Sequence, residues 1–361
     1  MISRPRFRCI TLIAVSLFFL GGCLHTSNSD EYYKDITEKF IVKYLLLENG
    51  GIRTNIKDIQ ANYEFAVGSD VLSESQGLLM TYAVIENDPE LFEKTFHFVN
   101  SALVLNESIS YRYSDEYGKF SVNAAIDDFR IIGALLEAAI VFDESRYQKV
   151  ALNFANHLYK TNIAGSALYD FYDSIYQEHN DFLTLCYGDL KTIGILSSID
   201  VRWKPIFENV KKIIKQGYIS DEFPLFLTSY HYESNNYKSS DIETVQSLIT
   251  AIHLAELYLC PKQTVEFVKR KVLAGELYGK YNIDGEPLNK IESTAIYALA
   301  SILGGLVKDN DLQKAALEQM KKFQIGAKND PLYGGFANSE TLEAYSFDNL
   351  YALLAFTEQG Q

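Results

Sequence analysis

The stretch from Ile131 to Ala139 has the sequence Ile-Ile-Gly-Ala-Leu-Leu-Glu-Ala-Ala and is apolar at almost every position. A helix without a polar face is expected where other elements of the protein surround it. By contrast, the segment from Trp203 to Gln216 has lysines on one side and Ile and Phe on the other, which is typical of a helix on an outer surface. The two segments predict an inner and an outer layer of helices.

Helical periodicity recurs along the whole chain after its first 34 residues. It predicts twelve helices, near residues 35–47, 74–87, 90–104, 125–142, 144–160, 188–197, 203–216, 241–258, 262–274, 291–304, 309–324 and 343–357. Alternation typical of strands is weak, and no strand–helix–strand rhythm with a glycine loop occurs, which disfavours dinucleotide-binding and α/β periplasmic binding folds. Twelve such helices indicate six antiparallel hairpins in one domain. The long connections 105–123, 161–187, 218–240 and 325–341 are rich in Tyr, Asn, Asp and Gly and are expected to be functional.

The N-terminus predicts export. Three arginines precede an apolar run over residues 10–20, which is shorter than the roughly 20 residues that span a bilayer. The run ends in Leu20-Gly21-Gly22-Cys23, which resembles the lipobox of bacterial lipoproteins and implies a lipid on Cys23. We therefore expect a signal peptide at residues 1–22, a polar tether at 23–34 and a domain at 35–361, held outside the cytoplasm on the membrane by lipid alone. An ordinary signal peptide with a chance cysteine is the alternative.

Composition excludes several classes of protein. The formal net charge of −14 argues against binding nucleic acid and favours a neutral or cationic substrate. After the signal region and Cys23, only Cys186 and Cys260 remain, which could form one disulfide but no metal-binding pattern. No HExxH or HxxEH pair is present, so we expect no metal. We also expect no cofactor, and a monomer.

Acidic residues stand at three predicted helix starts. They are Glu74, the adjacent Asp127 and Asp128, and Asp241. The pairs Ser73–Gln76 and Ser240–Glu243 have the spacing of capping boxes. Acids in a first turn stabilise the helix dipole by roughly 0.3–1 kcal/mol and need no other purpose. Inverting glycoside hydrolysis, however, needs one protonated acid and one carboxylate that activates water.

The dipole of a helix lowers the pKa of a carboxyl at its start, whereas a general acid needs a raised pKa. Glu74 therefore serves as an acid only if burial and a neighbouring carboxylate, at Asp127 or Asp128, outweigh the dipole.

Three motifs resemble glycoside hydrolase family 8. The stretch from Ser73 to Met80, Ser-Glu-Ser-Gln-Gly-Leu-Leu-Met, is similar to the family's Ser-Glu-Gly-Gln-Gly-Tyr-Gly-Met. Residues 87–92 resemble its Asn-Asp-x-x-x-Phe, and residues 123–127 its Asn-Ser-Ala-Ser/Thr-Asp. The resemblance covers nearly the whole exported chain and implies an all-α, (α/α)6 barrel with an inverting endo-mechanism. It implies Glu74 as general acid, Asp127 as the residue that grips the distorted sugar, and Asp241 as general base.

Departures from the family's motifs narrow the range of expected substrates. The family's Ala-x-Arg-x-Pro-Trp does not follow Asp241, and the segment after Asp127 is one residue short, so Asp127 and Asp128 could exchange roles. Cellulases of the family line their cleft with tryptophan, yet the only tryptophan is Trp203, on a predicted outer helix. The pattern is closer to the branch associated with exopolysaccharide and biofilm operons. We therefore expect an extracellular polysaccharide as substrate.

Tyrosine is the predicted replacement for tryptophan, because its ring offers an apolar face to sugar C–H groups. Tyr113, Tyr187 and Tyr237, which precede predicted helices, are the candidates for substrate binding, together with Asp128. Two alternatives stay open. The adjacent aspartates are also typical of (α/α)6 α-mannanases and unsaturated uronyl hydrolases, and a non-catalytic polysaccharide-binding lipoprotein would need only the tyrosines.

Overall fold

The computed structural model describes residues 28–357, and within them twelve α-helices form two concentric rings. The helices are α1 Asn28–Tyr44, α2 Ser73–Ile85, α3 Pro89–Phe98, α4 Ala125–Val141, α5 Ser145–Thr161, α6 Leu190–Ile199, α7 Lys204–Gln216, α8 Thr244–Ala255, α9 Lys262–Ala274, α10 Thr294–Leu306, α11 Asn310–Lys321 and α12 Ser346–Thr357. The even-numbered helices form the inner ring, in which each contacts the next and α12 returns to α2. The odd-numbered helices pack outside, and α1 packs on α12. This arrangement confirms the predicted all-α, (α/α)6 barrel.

Burial separates the two rings as the apolar patterns predicted. In α10, every residue from Thr294 to Gly304 is buried, because other inner helices and the outer ring surround it. In α7, only Ile206, Val210, Ile213 and Ile214 are buried, on one face that packs inward. Helix α3 begins as predicted, with the Asp88 side chain accepting the N–H of Leu91 ahead of Pro89.

Several predicted helix starts were wrong, and those of α8 and α1 bear on the predicted site and on the predicted domain boundary. Helix α8 begins at Thr244 rather than Asp241, because Ile242 and Glu243 pair with residues 280–281 as a two-stranded ladder. Helix α1 begins at Asn28, inside the stretch predicted as a tether, and Asp30 pairs with Lys321 of α11 at 2.6 Å. Helix α1 therefore extends across the predicted boundary at residue 35.

The predicted capping boxes were also wrong. Helix α2 is preceded by Leu72 without a side-chain cap. The Gln76 side chain is instead buried, where its Oε1 accepts the N–H of Ile52 at 2.8 Å. Glu243 occupies the N-cap position of α8 and likewise makes no side-chain cap, so no Ser240–Glu243 box exists.

Short antiparallel strands fold the long connections into hairpins, a feature that the sequence did not predict. The strands are β1 Val71–Leu72, β2 Val104–Leu105, β3 Ser108–Ile109, β4 Arg112–Ser114, β5 Gly118–Lys119, β6 Ile163–Ala164, β7 Ala167–Leu168, β8 Tyr172–Asp173, β9 Glu178–His179, β10 Phe182–Thr184, β11 Ser229–His231, β12 Asn236–Lys238, β13 Ile242–Glu243 and β14 Lys280–Tyr281. Strand β1 pairs with β4 immediately before α2 and so fixes where that helix begins.

The predicted signal peptide and Cys23 lie outside the described residues. Within residues 28–357, no helix is both long and apolar enough to cross a membrane. Cys186 and Cys260 are both free thiols, so the disulfide that they could have formed is absent between them. Trp203 is 1% exposed and packs edge-on against Phe129 and Tyr159, which excludes it from a sugar-binding surface.

Candidate active site

Glu74 and Asp127 lie in the first turns of neighbouring inner helices, α2 and α4. Asp127 is 6% exposed and accepts two hydrogen bonds. Ser73 Oγ donates to its Oδ2 at 2.7 Å, and Arg130 Nη1 donates to its Oδ1 at 2.7 Å. Ser73 thus joins the two helix starts directly, which explains why its hydroxyl does not cap its own helix.

The pKa of the half-buried Glu74 is raised to about 7. Burial is the largest cause, the charge of Asp127 adds to it, and the guanidinium of Arg130 opposes it. Burial also raises the pKa of Asp127, but Arg130 and the hydrogen bond from Ser73 act in the opposite direction. Because Asp127 has these donors, we assign the shared proton to Glu74 and the charge to Asp127. Burial and a neighbouring carboxylate therefore outweigh the helix dipole at Glu74, as a general acid at this position requires.

Arg130 is a residue of this site that sequence reasoning missed. Besides Asp127, its guanidinium donates to the hydroxyl of Tyr351 on α12 at 3.4 Å. Its aliphatic part packs on α2 at Gly77, where an added Cβ would lie 3.0 Å from the Arg130 Cδ. The available signal was its spacing, since Arg130 follows Asp127 by three residues and so lies on the same helical face.

Asp128 faces a different set of partners. Its Oδ2 accepts a hydrogen bond from Asn123 Nδ2 at 2.6 Å, and Asn123 is also bonded to Asn162. Burial raises the pKa of Asp128 well above its usual value. Asn123 Oδ1 also accepts the N–H of Tyr172, so this network fixes the connection ahead of α4. Of the two adjacent aspartates, Asp127 is the one that contacts the surroundings of Glu74, and a role for Asp128 in substrate binding stays a prediction.

Asp241 lies apart from this pair, in a turn before β13. Its side chain is 36% exposed, and its Oδ2 lies 3.4 Å from Lys280 Nζ. Lys280 also pairs with Glu243 at 2.7 Å. Asp241 lines a surface depression together with Thr228, Ser239 and Gln246, whereas Glu74 and Asp127 do not line it. Its function as a base stays a prediction.

The three candidate tyrosines differ in their surroundings. Tyr187 is half-buried, and burial followed by the charge of Asp127 raises its pKa, which places it within the field of the acidic pair. Tyr113 packs its ring edge-on against Phe98, with ring centroids 5.9 Å apart. Tyr237 donates its hydroxyl to the carbonyl of Ile213 at 2.6 Å. The structure therefore brings Tyr187 to the candidate site and gives the other two packing contacts.

Within the described residues, one group has the chemistry of metal ligands. Asp189, His253 and Glu256 offer ligand atoms that all lie within 4.8 Å of one another. They line a cavity inside the inner ring that Arg130 also lines. The sequence predicted no metal site because these residues form none of the short zinc motifs.

No protein-family model matches the sequence. The structure of an α-amylase from Clostridium perfringens superimposes with a TM-score of 0.85, is 34% identical, and matches over 90% of this chain and 97% of that one. The candidate lipoprotein YdaJ of Bacillus subtilis (strain 168) is 29% identical over 367 residues, 95% of this chain and 96% of that protein.

A second structure connects the fold to the resemblance found in the sequence. The endoglucanase Cel10 from Klebsiella pneumoniae, a family 8 glycosyl hydrolase, superimposes with a TM-score of 0.62 at 14% identity, over 90% of this chain and 99% of that one. This likeness confirms the predicted fold, and the α-amylase supplies the closer sequence relationship. The chain therefore belongs to the glycoside hydrolase family of the Clostridium perfringens α-amylase and has the barrel fold of the family 8 enzymes.

Proposed function

We propose that the protein is an endo-acting, inverting glycoside hydrolase that cleaves an extracellular polysaccharide. The observation that carries this proposal is the pair of half-buried Glu74 and buried Asp127, in which a carboxyl with a pKa of about 7 adjoins a carboxylate bonded to Ser73 and Arg130. A proton available near neutral pH is what protonation of a glycosidic oxygen requires.

In the proposed reaction, Glu74 gives its proton to the glycosidic oxygen as the bond from that oxygen to the anomeric carbon breaks. Asp127 stabilises the positive charge that develops on the sugar. Asp241 removes a proton from a water molecule, which attacks the opposite face of the ring. A water must fit between base and sugar, so inversion requires the two carboxyls to stand roughly 6.5–9.5 Å apart when substrate is bound.

The substrate is proposed from the net charge of the chain and from the proteins to which it is similar. A chain with a net charge of −14 repels anionic polymers, which favours a neutral or cationic substrate. An exopolysaccharide of the biofilm matrix is the first candidate, in keeping with the lipobox and the lipoprotein relative. An α-glucan is the second candidate, because the 34% identical relative is an α-amylase.

A panel of polysaccharides tests the activity. Purified protein is incubated with amylose, glycogen, carboxymethylcellulose, isolated neutral exopolysaccharides and oligosaccharides that end in an unsaturated uronic acid, and new reducing ends, chain length and released unsaturated sugars are measured. Chain shortening with new reducing ends on one polymer class supports the proposal. Products from unsaturated sugars alone favour a uronyl hydrolase, and retention without cleavage by a fully folded protein favours a binding lipoprotein.

We also propose that the protein is held at the outer face of the membrane by a lipid on Cys23. Replacing Cys23 with Ser should release the protein into the medium or the periplasm, measured by cell fractionation. An unchanged membrane fraction in that variant contradicts the anchor without affecting the proposed reaction.

A further inference from the structure

A cavity of about 170 Å³ lies inside the inner ring. Its walls come from the C-terminal turns of some inner helices, such as Glu137 of α4 and Ile252 of α8, and from the first turn of α6. Glu74, at the start of α2, does not line it. Arg130 lines the cavity and binds Asp127, so its guanidinium lies between the cavity and the acidic pair.

His253 is the buried member of the group in this cavity and is 8% exposed. Its Nε2 lies 3.1 Å from the carbonyl oxygen of Cys186. A carbonyl only accepts hydrogen bonds, so Nε2 carries a proton, and in the neutral ring Nδ1 then has a free lone pair. A ligand histidine whose other nitrogen donates to a backbone carbonyl is the common arrangement at metal sites.

The separation of His253 from Glu256 fits two ligands of one ion. Nδ1 lies 3.5 Å from Glu256 Oε2, which is long for a charge-assisted hydrogen bond. Metal–ligand bonds of about 2.0–2.2 Å in a tetrahedral site place neighbouring ligand atoms about 3.3–3.5 Å apart. The ligand atoms of the three residues all lie within 4.8 Å of one another, so a small side-chain rotation brings them to the separation that a single ion requires.

Asp189 is held in place before any ion binds. Its Oδ1 accepts the N–H of Thr192 at 2.8 Å, and its Oδ2 accepts the Thr192 hydroxyl at 2.9 Å. Gly133 makes room for that hydroxyl, since an added Cβ would lie 2.8 Å from it. Each carboxylate oxygen keeps a further lone pair for a metal.

The charges around the cavity favour a cation. Its lysine and arginine make their direct ion pairs with other carboxylates, Lys191 with Glu137 at 2.6 Å and Arg130 with Asp127 at 2.7 Å. The side chains of Asp189 and Glu256 therefore bring two carboxylates to the His253 imidazole without a direct ion pair to either of these residues. A divalent cation would neutralise both.

We propose that Asp189, His253 and Glu256 bind one divalent ion of the zinc class, with water from the cavity as a further ligand. Imidazole with carboxylates is a ligand set for zinc, cobalt and nickel rather than for calcium or magnesium. The ion would link the start of α6 to the end of α8, two neighbouring inner helices. The proposed ligands are not the residues to which the reaction at Glu74 is assigned.

Metal titration tests the site on the whole protein. After chelation and removal of the chelator, zinc binding is followed by calorimetry, and cobalt binding by visible absorption. We expect one equivalent to bind with a dissociation constant in the micromolar range or below, and zinc to raise the melting temperature, since a ligand of the folded state stabilises it. Absence of saturable binding by the native chain overturns the proposal.

Two variants locate the ion. His253→Gln should weaken binding at least 100-fold, and Glu256→Gln, at a half-buried position beside the cavity, should weaken it about tenfold or more. His157→Gln is the matched control, because His157 is half-buried on an outer helix and pairs with Glu107. Full binding in both cavity variants assigns the ion elsewhere and refutes the site. If His253→Gln does not fold, Glu256→Gln alone decides.

Discussion

Glu74 and Asp241 look alike in the sequence and differ in the structure. Both follow a serine and were expected in the first turn of a capped inner helix. Glu74 lies there, next to a carboxylate and a guanidinium, and its pKa is raised to about 7. Asp241 lies three residues before its helix, in a half-exposed turn beside Lys280. Burial next to another charge, rather than position at a helix start, distinguishes the candidate acid Glu74 from Asp241.

The largest expected effect comes from Glu74→Gln, which keeps the shape of the side chain and removes its proton. We expect kcat on the identified polymer to fall roughly 10²–10⁴-fold with binding unchanged, the usual contribution of a general acid. Steady-state kinetics and polymer binding are the measurements. Glu86→Gln is the control, since Glu86 lies at the other end of α2 and pairs with Lys34. Undiminished turnover in the Glu74 variant would remove Glu74 from the reaction.

Asp241→Asn tests the other member of the comparison. If Asp241 is the base, kcat should fall roughly 10²–10³-fold, and added azide should restore cleavage by taking the place of the activated water. The first product of the native enzyme should have inverted anomeric configuration by NMR. Asp284→Asn, at an exposed loop position, is the control. A retained configuration, or full activity in Asp241→Asn, excludes Asp241 as the base.

The raised pKa of Glu74 also predicts how stability depends on pH. A carboxyl whose pKa is higher in the folded than in the unfolded chain contributes stability that is complete below the unfolded value and is lost as the pH rises through about 7. Because Glu74 keeps some exposure to solvent, Glu74→Gln should stabilise the fold by on the order of 1–2 kcal/mol at pH 8 and by little at pH 5. Urea unfolding at the two pH values measures the difference, and equal effects at both would contradict the raised pKa.

The smallest expected effect is a shift in the pH–rate profile. Activity should fall as the pH rises through about 7, where Glu74 loses its proton. Arg130 lowers the pKa of Glu74, so Arg130→Met should move this fall upward by about one pH unit, whereas Arg130→Lys should leave it nearly in place. Arg146→Met, which removes an exposed arginine paired with Glu93, is the control. An unchanged pH–rate profile in Arg130→Met would show that Arg130 does not influence the pKa of Glu74.

Local patterns predicted the helices and their six hairpins, because apolar faces repeat within each helix and depend little on distant residues, and the family resemblance implied the barrel. They failed where contact with a residue far away in the sequence determines the local structure. Ser73 bonds to Asp127, 54 residues away, instead of capping its helix. The start of α8 is delayed by pairing with β14, nearly 40 residues later. Asp189 and His253 meet only because their helices are neighbours in the ring.

Helix α12 joins the two ends of the ring, since it contacts α10, α2 and α1. Its residues from Leu350 to Thr357 are all buried, so the hydrophobic core is incomplete until α12 has been translated. A chain that stops before α12 leaves the apolar sides of α1, α2 and α10 facing water. Such a fragment would be a substrate for proteases and chaperones, and each molecule that reaches its folded state has therefore been synthesised at least as far as α12.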